Sequence, residues 1–260
     1  MSDRNLIPGK FVWFELCTKD ADRKRAQAFY GETLGWRVVP FPMGPNTYEM
    51  IYAGETMLGG YASLSDQRQQ AHWISYVSVE DVDGAAKAAV AQGGKVVQAP
   101  FDAATVGRMA RIADPQGAEF YLYRSATGNA PDLDVAPQGH FFWNELHTSD
   151  AAGALGFYDK VVGFTHRSMD MGPGGAYHIL SKDGKDRGGV TAFLAPGVAP
   201  HWLPYVSVDD PDATVARARK LGANIPMACE DIPGVGRFGV VQDPTGAVLA
   251  VMKPLPRMQK

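Results

Sequence analysis

The sequence predicts an α+β fold built from four copies of one small βαβββ module, and three observations carry that reading. The strand-like phrase Phe11-Val12-Trp13-Phe14-Glu15-Leu16 returns as Phe141-Phe142-Trp143-Asn144-Glu145-Leu146. Later landmarks echo at an almost constant offset: Phe29-Tyr30 and Phe157-Tyr158, Tyr48 and Tyr177, Gly59-Gly60 and Gly188-Gly189, His72-Trp73 and His201-Trp202, Asp114-Pro-Gln-Gly117 and Asp243-Pro-Thr-Gly246. Within each half, the order strand, helix and three strands runs twice. Self-similarity at a fixed period marks a repeat architecture, and one such module is too short to bury a good core alone.

The elements follow in order. Phe11–Cys17 is apolar and aromatic, the composition of a strand. Asp20-Ala-Asp22 offers a helix cap, Ala26, Phe29, Tyr30 and Leu34 recur at helical spacing, and Gly35 is a stop. Trp36–Phe41, Tyr48–Tyr52 and Met57–Leu64 are short strands, punctuated by Pro42, Gly44, Pro45, Asn46 and Gly54. The pattern restarts with a strand over Trp73–Val79 and a helix capped by Asp81 and closed by Gly93-Gly94. Strands follow over Lys95–Gln98, Val106–Ala113 and Ala118–Tyr123, the last two joined by Asp114-Pro-Gln-Gly117, which suits a type I turn. Residues 125–138 have the composition of a linker. The second half repeats the series, with Pro211 at the first position of its second helix and Gly222 after its end. The modules span about 10–64, 72–124, 139–195 and 201–252, giving domains at 10–124 and 139–252. Two modules side by side can curve a sheet into an open cup with helices outside.

Composition narrows the function. Of 260 residues, 45% are hydrophobic and 20% charged, and the net charge is −3. This is an ordinary globular balance, without the basic surface that nucleic acid or anionic membrane would require. No apolar run approaches the roughly 18 residues of a bilayer span. Cys17 and Cys229 form no framework, so free thiols in a reducing cytoplasm are expected. No Walker sequence, dinucleotide fingerprint or nucleophile elbow is present.

Four stretches carry a resemblance: Ala28-Phe29-Tyr30 through Leu34-Gly35-Trp36, Tyr76-Val77-Ser78-Val79-Glu80-Asp81-Val82, Gly234-Val235-Gly236-Arg237, and the two Asp-Pro-x-Gly turns. In these the chain resembles the vicinal oxygen chelate superfamily, which includes glyoxalase I, extradiol dioxygenases and bleomycin-resistance proteins, and most of all its tandem glyoxalase-like group. The resemblance covers nearly the whole chain and implies two tandem glyoxalase-like domains with open, cup-shaped mixed sheets. It also implies a small-molecule ligand and, in many members, a divalent metal held by His, Gln or Glu. The matching ligand positions here are Trp13, Ile74 and Tyr121 in the first half and Trp143, Leu203 and Ala250 in the second. No metal is expected at these positions.

Strand alternation assigns faces. Val12, Phe14 and Leu16 pack toward a helix, while Phe11, Trp13, Glu15 and Cys17 face inward, as do Phe141, Trp143, Glu145 and His147. His72, Ile74, Tyr76 and Ser78 share an inner face, with His201, Leu203, Tyr205 and Ser207 as counterparts; Glu119, Tyr121 and Tyr123 line the strand after the first Asp-Pro-x-Gly turn. If modules one and four, and two and three, build the cups, one cup is largely apolar. The other gathers His72, Tyr76, Glu119, Tyr121, Tyr123, Glu145 and His147, enough for an acid–base pair or an unorthodox divalent metal site on Glu145, His147 and Glu119. If each half closes its own cup, Glu15 meets His72 and Glu119, while Glu145 and His147 meet His201.

Glu145, His147 and Glu119 are the expected catalytic groups, and Trp13, Trp143, Tyr76, Tyr121, His72 and Glu15 the expected ligand-binding ones. Each has a plainer reading: carboxylates satisfied by nearby donors, strand-edge histidines, core tryptophans. Arg108 and Arg237 follow glycine in matching turns, as surface charges or as anion clamps at a cup mouth. The leading expectation is a glyoxalase-like, lyase-like or hydroxylase-like enzyme of small-metabolite or xenobiotic chemistry. The rival is a metal-free binding protein of the bleomycin-resistance kind. Either would work as a pseudo-dimeric monomer or a homodimer.

Overall fold

The structure, a computed structural model, describes residues 5–43, 46–64, 66, 69–172 and 175–255; Gly44 and Pro45, expected in a turn, lie outside them. The first half runs β1 (Phe11–Thr18), α1 (Arg23–Leu34), β2 (Arg37–Met43), β3 (Asn46–Ala53), β4 (Thr56–Ser63), β5 (His72–Ser78), α2 (Val82–Ala91), β6 (Lys95–Ala103), β7 (Gly107–Ala113) and β8 (Glu119–Ser125). The second runs β9 (Phe141–His147), α3 (Ala151–Val162), β10 (Thr165–Asp170), β11 (Ala176–Lys182), β12 (Lys185–Thr191), β13 (His201–Ser207), α4 (Pro211–Lys220), β14 (Asn224–Ile232), β15 (Gly236–Gln242) and β16 (Val248–Pro254). Every expected element is present, and β6 is the main extension, reaching Ala103 rather than Gln98.

The strands form two open eight-stranded mixed sheets, ordered β2-β3-β4-β1-β5-β8-β7-β6 and β10-β11-β12-β9-β13-β16-β15-β14. Each sheet draws all its strands from one half of the chain. The pairing of modules one with four and two with three, as builders of the cups, is therefore incorrect for the sheets.

That crossed pairing does describe how the chain clusters into compact units. One unit comprises residues up to Trp13, Ile74–Asp132 and Trp143–Leu203; the other comprises Phe14–Trp73, Leu133–Phe142 and the chain from Pro204. In the first unit α2 packs on α3. Their core holds Phe120, Phe157, Tyr158, Phe164 and Trp202, all under 4% exposed; each such side chain contributes roughly 1.5–3 kcal/mol by leaving water. In the second unit α1 packs on α4. Trp36, Trp73 and Phe141 meet there at centroid distances of 5.3–5.8 Å, and Phe141 stacks on Phe14 at 4.0 Å.

The most repetitive motifs of the sequence meet in these cores. Trp202 donates its indole N–H to the Tyr158 hydroxyl (2.9 Å), which donates to Asp114 (3.1 Å). The other carboxylate oxygen of Asp114 accepts from the backbone N–H of Gln116, Gly117 and Ala118. In the other unit Trp73 donates to Tyr30 (3.2 Å), and Asp243 accepts from the backbone of Thr245, Gly246 and Ala247. Asp243 Oδ2, however, has no hydrogen-bond partner among the described residues. The Asp-Pro-x-Gly motif thus makes the expected i to i+3 turn, Gly117 N–H to Asp114 C=O at 3.0 Å, and Asp114 also anchors the buried Tyr158.

Local chemistry explains the helix ends. Asp81, Asp150 and Asp210 cap α2, α3 and α4 by accepting first-turn N–H groups, as their short acceptor side chains allow. Asp22 makes no such bond at α1; Asp20 pairs with Arg23 and accepts from Ser63 Oγ instead. Gly35 and Gly163 end α1 and α3 in the left-handed conformation, at φ of 74° and 79°, which glycine adopts without strain. The stretch with linker composition is tied down: Asn129 accepts from the Ile7 N–H and Ser78 Oγ, both at 2.8 Å, and Asp132 pairs with Lys10 and Arg187.

Three expectations about side chains change here. Phe11 packs against Phe164 and Trp202, and Phe141 against Phe14, Trp36 and Trp73, so neither lines an inner face. Both precede the ladders to β4 and β12, which begin at Phe14 and Glu145, and the pleat does not fix a ring there. Arg108 and Arg237 are not anion clamps. They pair with Asp83 and Asp212 in the first turns of α2 and α4, and with Asp102 and Asp231 on the hairpins.

Candidate active site

Strand β9 presents Trp143, Glu145 and His147 at alternate positions, so the three share one face. Its neighbour β12 runs parallel, with Gly189 opposite Glu145 and Thr191 opposite His147. Strand β11 lies beyond β12 and places Tyr177 opposite Thr191. The tyrosine then crosses over β12 to reach the carboxylate. It can do so because Gly189 has no side chain: a Cβ there would stand 1.9 Å from the Tyr177 hydroxyl oxygen and 2.4 Å from Cζ. Gly188 serves the neighbouring approach, since its Cβ would meet the Asn144 carbonyl at 2.6 Å. The Gly188-Gly189 pair is thus the space that lets β12 and Tyr177 close on β9.

A directed chain of hydrogen bonds results. Trp143 Nε1–H donates to the Tyr177 hydroxyl (3.0 Å), and that hydroxyl donates to Glu145 Oε2 (2.7 Å). Burial and the charge of Glu145 push the tyrosine far above its ordinary range, so it stays protonated and acts as a donor. On the other side of the carboxylate, His147 Nε2 lies 2.8 Å from Glu145 Oε1. The ring N–H is not aligned on that oxygen as a hydrogen bond, so charge rather than a linear bond holds the pair. His147 Nδ1 sits 2.9 Å from the carbonyl of Phe193.

His201, from β13, stacks on His147 with ring centroids 5.1 Å apart and planes within 7°. Its Nδ1 is 2.8 Å from the Ala199 carbonyl. The two imidazoles are driven in opposite directions. Burial alone would lower His147, but the close Glu145 carboxylate, with the Phe193 carbonyl, raises it above its ordinary value. Burial lowers His201, and the neighbouring His147 adds to that. Glu145 and Glu15 are each 9% exposed.

The first sheet repeats the carboxylate–tyrosine pair. Tyr48 donates to Glu15 Oε1 at 2.7 Å. Glu15 lies opposite Gly60 in the ladder, and a Cβ on Gly60 would stand 2.1 Å from the Tyr48 hydroxyl. Cys17, however, occupies the place of His147. His72, the counterpart of His201, holds its Nδ1 3.0 Å from the Gln70 carbonyl.

The expected constellation is therefore partly assembled. Glu145 and His147 come together with Trp143, and His201 joins them as it should when each half builds its own sheet. Glu119 does not: it sits on β8 of the other sheet, paired to Arg111 Nε at 2.5 Å. Among the described residues it is not grouped with Glu145 and His147 to hold an ion. Tyr76 and Tyr121 lie on the first sheet and stack on each other at 4.2 Å, with Tyr121 donating to Gln98. Tyr177 and Tyr48 were missed as site residues. They stood in the sequence as echoes, and their conserved distance from the paired glycines was the available signal.

A metal at the superfamily's positions does not fit these residues. Trp143 offers an N–H already donated to Tyr177, Leu203 and Ala250 are buried and apolar, and Ile74 and Tyr121 are packed. Glu145, His147 and Glu119 form no alternative centre: among the described residues no three His, Cys, Asp or Glu side chains are grouped to hold an ion.

Comparison with known proteins agrees with the two-sheet architecture. The family described as a glyoxalase-like domain matches residues 15–123. The glyoxalase/bleomycin resistance protein/dioxygenase superfamily matches residues 138–251. A Mycobacterium tuberculosis protein named "Putative glyoxylase CFP32" is 36% identical over 94% of this chain and 95% of its own. The chain belongs to the glyoxalase/bleomycin resistance protein/dioxygenase superfamily. Another member, the anthracycline biosynthesis protein DauV of a Streptomyces species, is 31% identical over 95% of this chain and 94% of its own. Among solved structures, a Mn(II)-bound glyoxalase from Novosphingobium aromaticivorans superposes with a TM-score of 0.66. It covers 95% of this chain and 82% of its own at 19% identity, a likeness of fold alone. No helix among the described residues of this superfamily member is long and apolar enough to cross a membrane.

Proposed function

We propose that the β9 face of the second sheet binds a small carbonyl-bearing molecule and moves a proton on it by acid–base chemistry, with Glu145, His147 and Tyr177 as the working groups. The observation that carries this reading is the Glu145 carboxylate held between a tyrosine hydroxyl at 2.7 Å and an imidazole at 2.8 Å. A buried carboxylate so placed can accept a proton, with Tyr177 and His147 holding it in position. Trp143 supplies an aromatic wall beside them. The relatives support the ligand class: one is named for glyoxylase activity and another for anthracycline biosynthesis, so an aromatic ketone is a fitting probe.

The test follows deuterium uptake from D2O at the α-carbon of 2-hydroxyacetophenone by NMR. The folded protein should accelerate exchange over buffer, and Glu145→Gln should lower that rate by about 10²–10⁴-fold. An unchanged rate in Glu145→Gln would remove this carboxylate from the chemistry.

A second reading, a binding protein that sequesters its ligand, is favoured by the first sheet. There the Glu15–Tyr48 pair recurs with Cys17 in the place of His147. Quenching of tryptophan fluorescence by the ketone, with no exchange above buffer, would support sequestration over catalysis.

A further inference from the structure

Each sheet has two outer strands, and these edges are not equally protected. They are β2 and β6 in the first sheet and β10 and β14 in the second. An outer strand carries a row of N–H and C=O groups with no neighbour, a template for pairing with another chain. Proline removes a donor from that row, and a bulge twists it out of line. Pro40 and Pro42 lie in β2, Pro100 in β6 and Pro226 in β14. The registers of β6 and β14 on their neighbours also shift, twice each. β10 has no proline and runs in unbroken register with β11 over all six of its residues. All six are exposed, and among the described residues no strand lies beyond them.

The hairpin fixes which groups β10 offers. Met171 N–H donates to the Gly175 carbonyl at 2.8 Å. Antiparallel bonding alternates, so Met169, Arg167 and Thr165 bond toward β11 in the same way. His166, Ser168 and Asp170 therefore point their N–H and C=O groups outward. The charged side chain between them is not aimed off the edge: Arg167 is turned back onto Asp186 by two bonds of 2.6 and 2.8 Å. The Ser168 hydroxyl is likewise engaged on its own sheet, 2.8 Å from His178 Nδ1.

We propose that β10 is the docking edge for a second copy of this chain, giving a homodimer by antiparallel β10–β10 pairing about a two-fold axis at Ser168. Outward groups bond only to outward groups, and centring on Ser168 gives the longest overlap that satisfies this. Ser168 then faces its own copy, His166 faces Asp170, and Arg167 faces Met169 across the axis. By symmetry an imidazole meets a carboxylate twice, and such cross-strand pairs stabilise a ladder. The strand thus supplies its own complement at the matching place, which selects a second copy over an unrelated peptide. Met169 and Met171, 43% and 46% exposed, are partly covered by the stem of Arg167 and by Thr165. The inference is independent of the acid–base reading.

Sedimentation of the full chain over a dilution series tests it. So small a contact predicts a reversible, concentration-dependent dimer. Ser168→Pro removes an outward donor at the axis and should leave only monomer at unchanged circular dichroism. Asp170→Lys, a second variant should the first fail to fold, removes the carboxylate that faces His166 and should weaken the dimer roughly 2–30-fold. Adding His166→Asp to Asp170→Lys restores an opposed pair and should recover it. Facing residues that exchange both backbone bonds hold their Cα atoms about 5.5 Å apart, within disulfide reach. Ser168→Cys should therefore cross-link chain to chain on mild oxidation, and Thr165→Cys, which does not face its own copy, should not. A wild-type chain monomeric at every concentration, a dimer undiminished in Ser168→Pro, or equal cross-linking by Ser168→Cys and Thr165→Cys would overturn the proposal.

Discussion

Glu145 decides the protonation of its neighbours, and that can be measured without any ligand. Burial is the largest influence on His147 and acts to lower it; Glu145, with the Phe193 carbonyl, more than reverses it. Glu145→Gln should therefore carry the His147 titration from above 6.5 to below it, read by histidine NMR. The signs for stability follow. The raised His147 contributes stability that is full below 6.5 and lost as pH rises through its folded value. The lowered His201 contributes stability present above 6.5 and lost as pH falls through its own folded value. The pair's contribution is thus greatest around 6.5, and melting-temperature profiles of His147→Gln should lose the alkaline decline. Gly189→Ala tests the space beneath Tyr177. Its methyl would collide with the hydroxyl, displacing Tyr177 from Glu145 at a cost of about 1–3 kcal/mol in chemical denaturation. The alternation of Trp143, Glu145 and His147 was legible in the sequence; the Tyr177 contact was not. Alternation gives a residue's face but not which strand lies two positions away, and a glycine announces nothing about the side chain that will occupy its empty place.

At the scale of elements, the helices are locked to the turns by the Trp–Tyr–Asp sets. The two sets differ in one contact: Tyr158 donates to Asp114 at 3.1 Å, whereas Asp243 Oδ2 is left unbonded among the described residues. Tyr158→Phe should then cost about 1–3 kcal/mol, because it strands the buried Trp202 N–H and one oxygen of Asp114. Tyr30→Phe should cost less in the same urea titration. The sequence contained every member of both sets as a repeat, and their spacing defined α1, α3 and the turns. Their meeting was hidden because the partners lie 44 positions apart for Tyr158 with each of Asp114 and Trp202, and local periodicity carries no information at that range.

For the whole molecule, the element order and the duplication were readable because periodicity and turn chemistry act locally. The choice of sheet partners was not, since strands of either pairing would present the same faces. Both pairings are realised, one in the sheets and the other in the compact units. A chain cut between Asp132 and Leu133 would leave each half with its sheet but with its helices stripped of their partners α3 and α2, or α4 and α1. The separate halves should aggregate or remain poorly structured by ¹H–¹⁵N NMR, and should recover dispersed spectra when mixed. Two halves that each fold cooperatively alone would refute this.

That interleaving also sets a timetable for synthesis. A ribosome delivers residues in order, and domains usually consolidate as they emerge. Here the unit containing Tyr30 and Trp73 draws its remaining members from Leu133–Phe142 and from Pro204 onward. The first module made is the last to find its core. Tyr30, Trp36 and Trp73 can meet one another early, but they wait for Phe141 and for α4 to cover them, in the custody of whatever the cell offers nascent apolar surface.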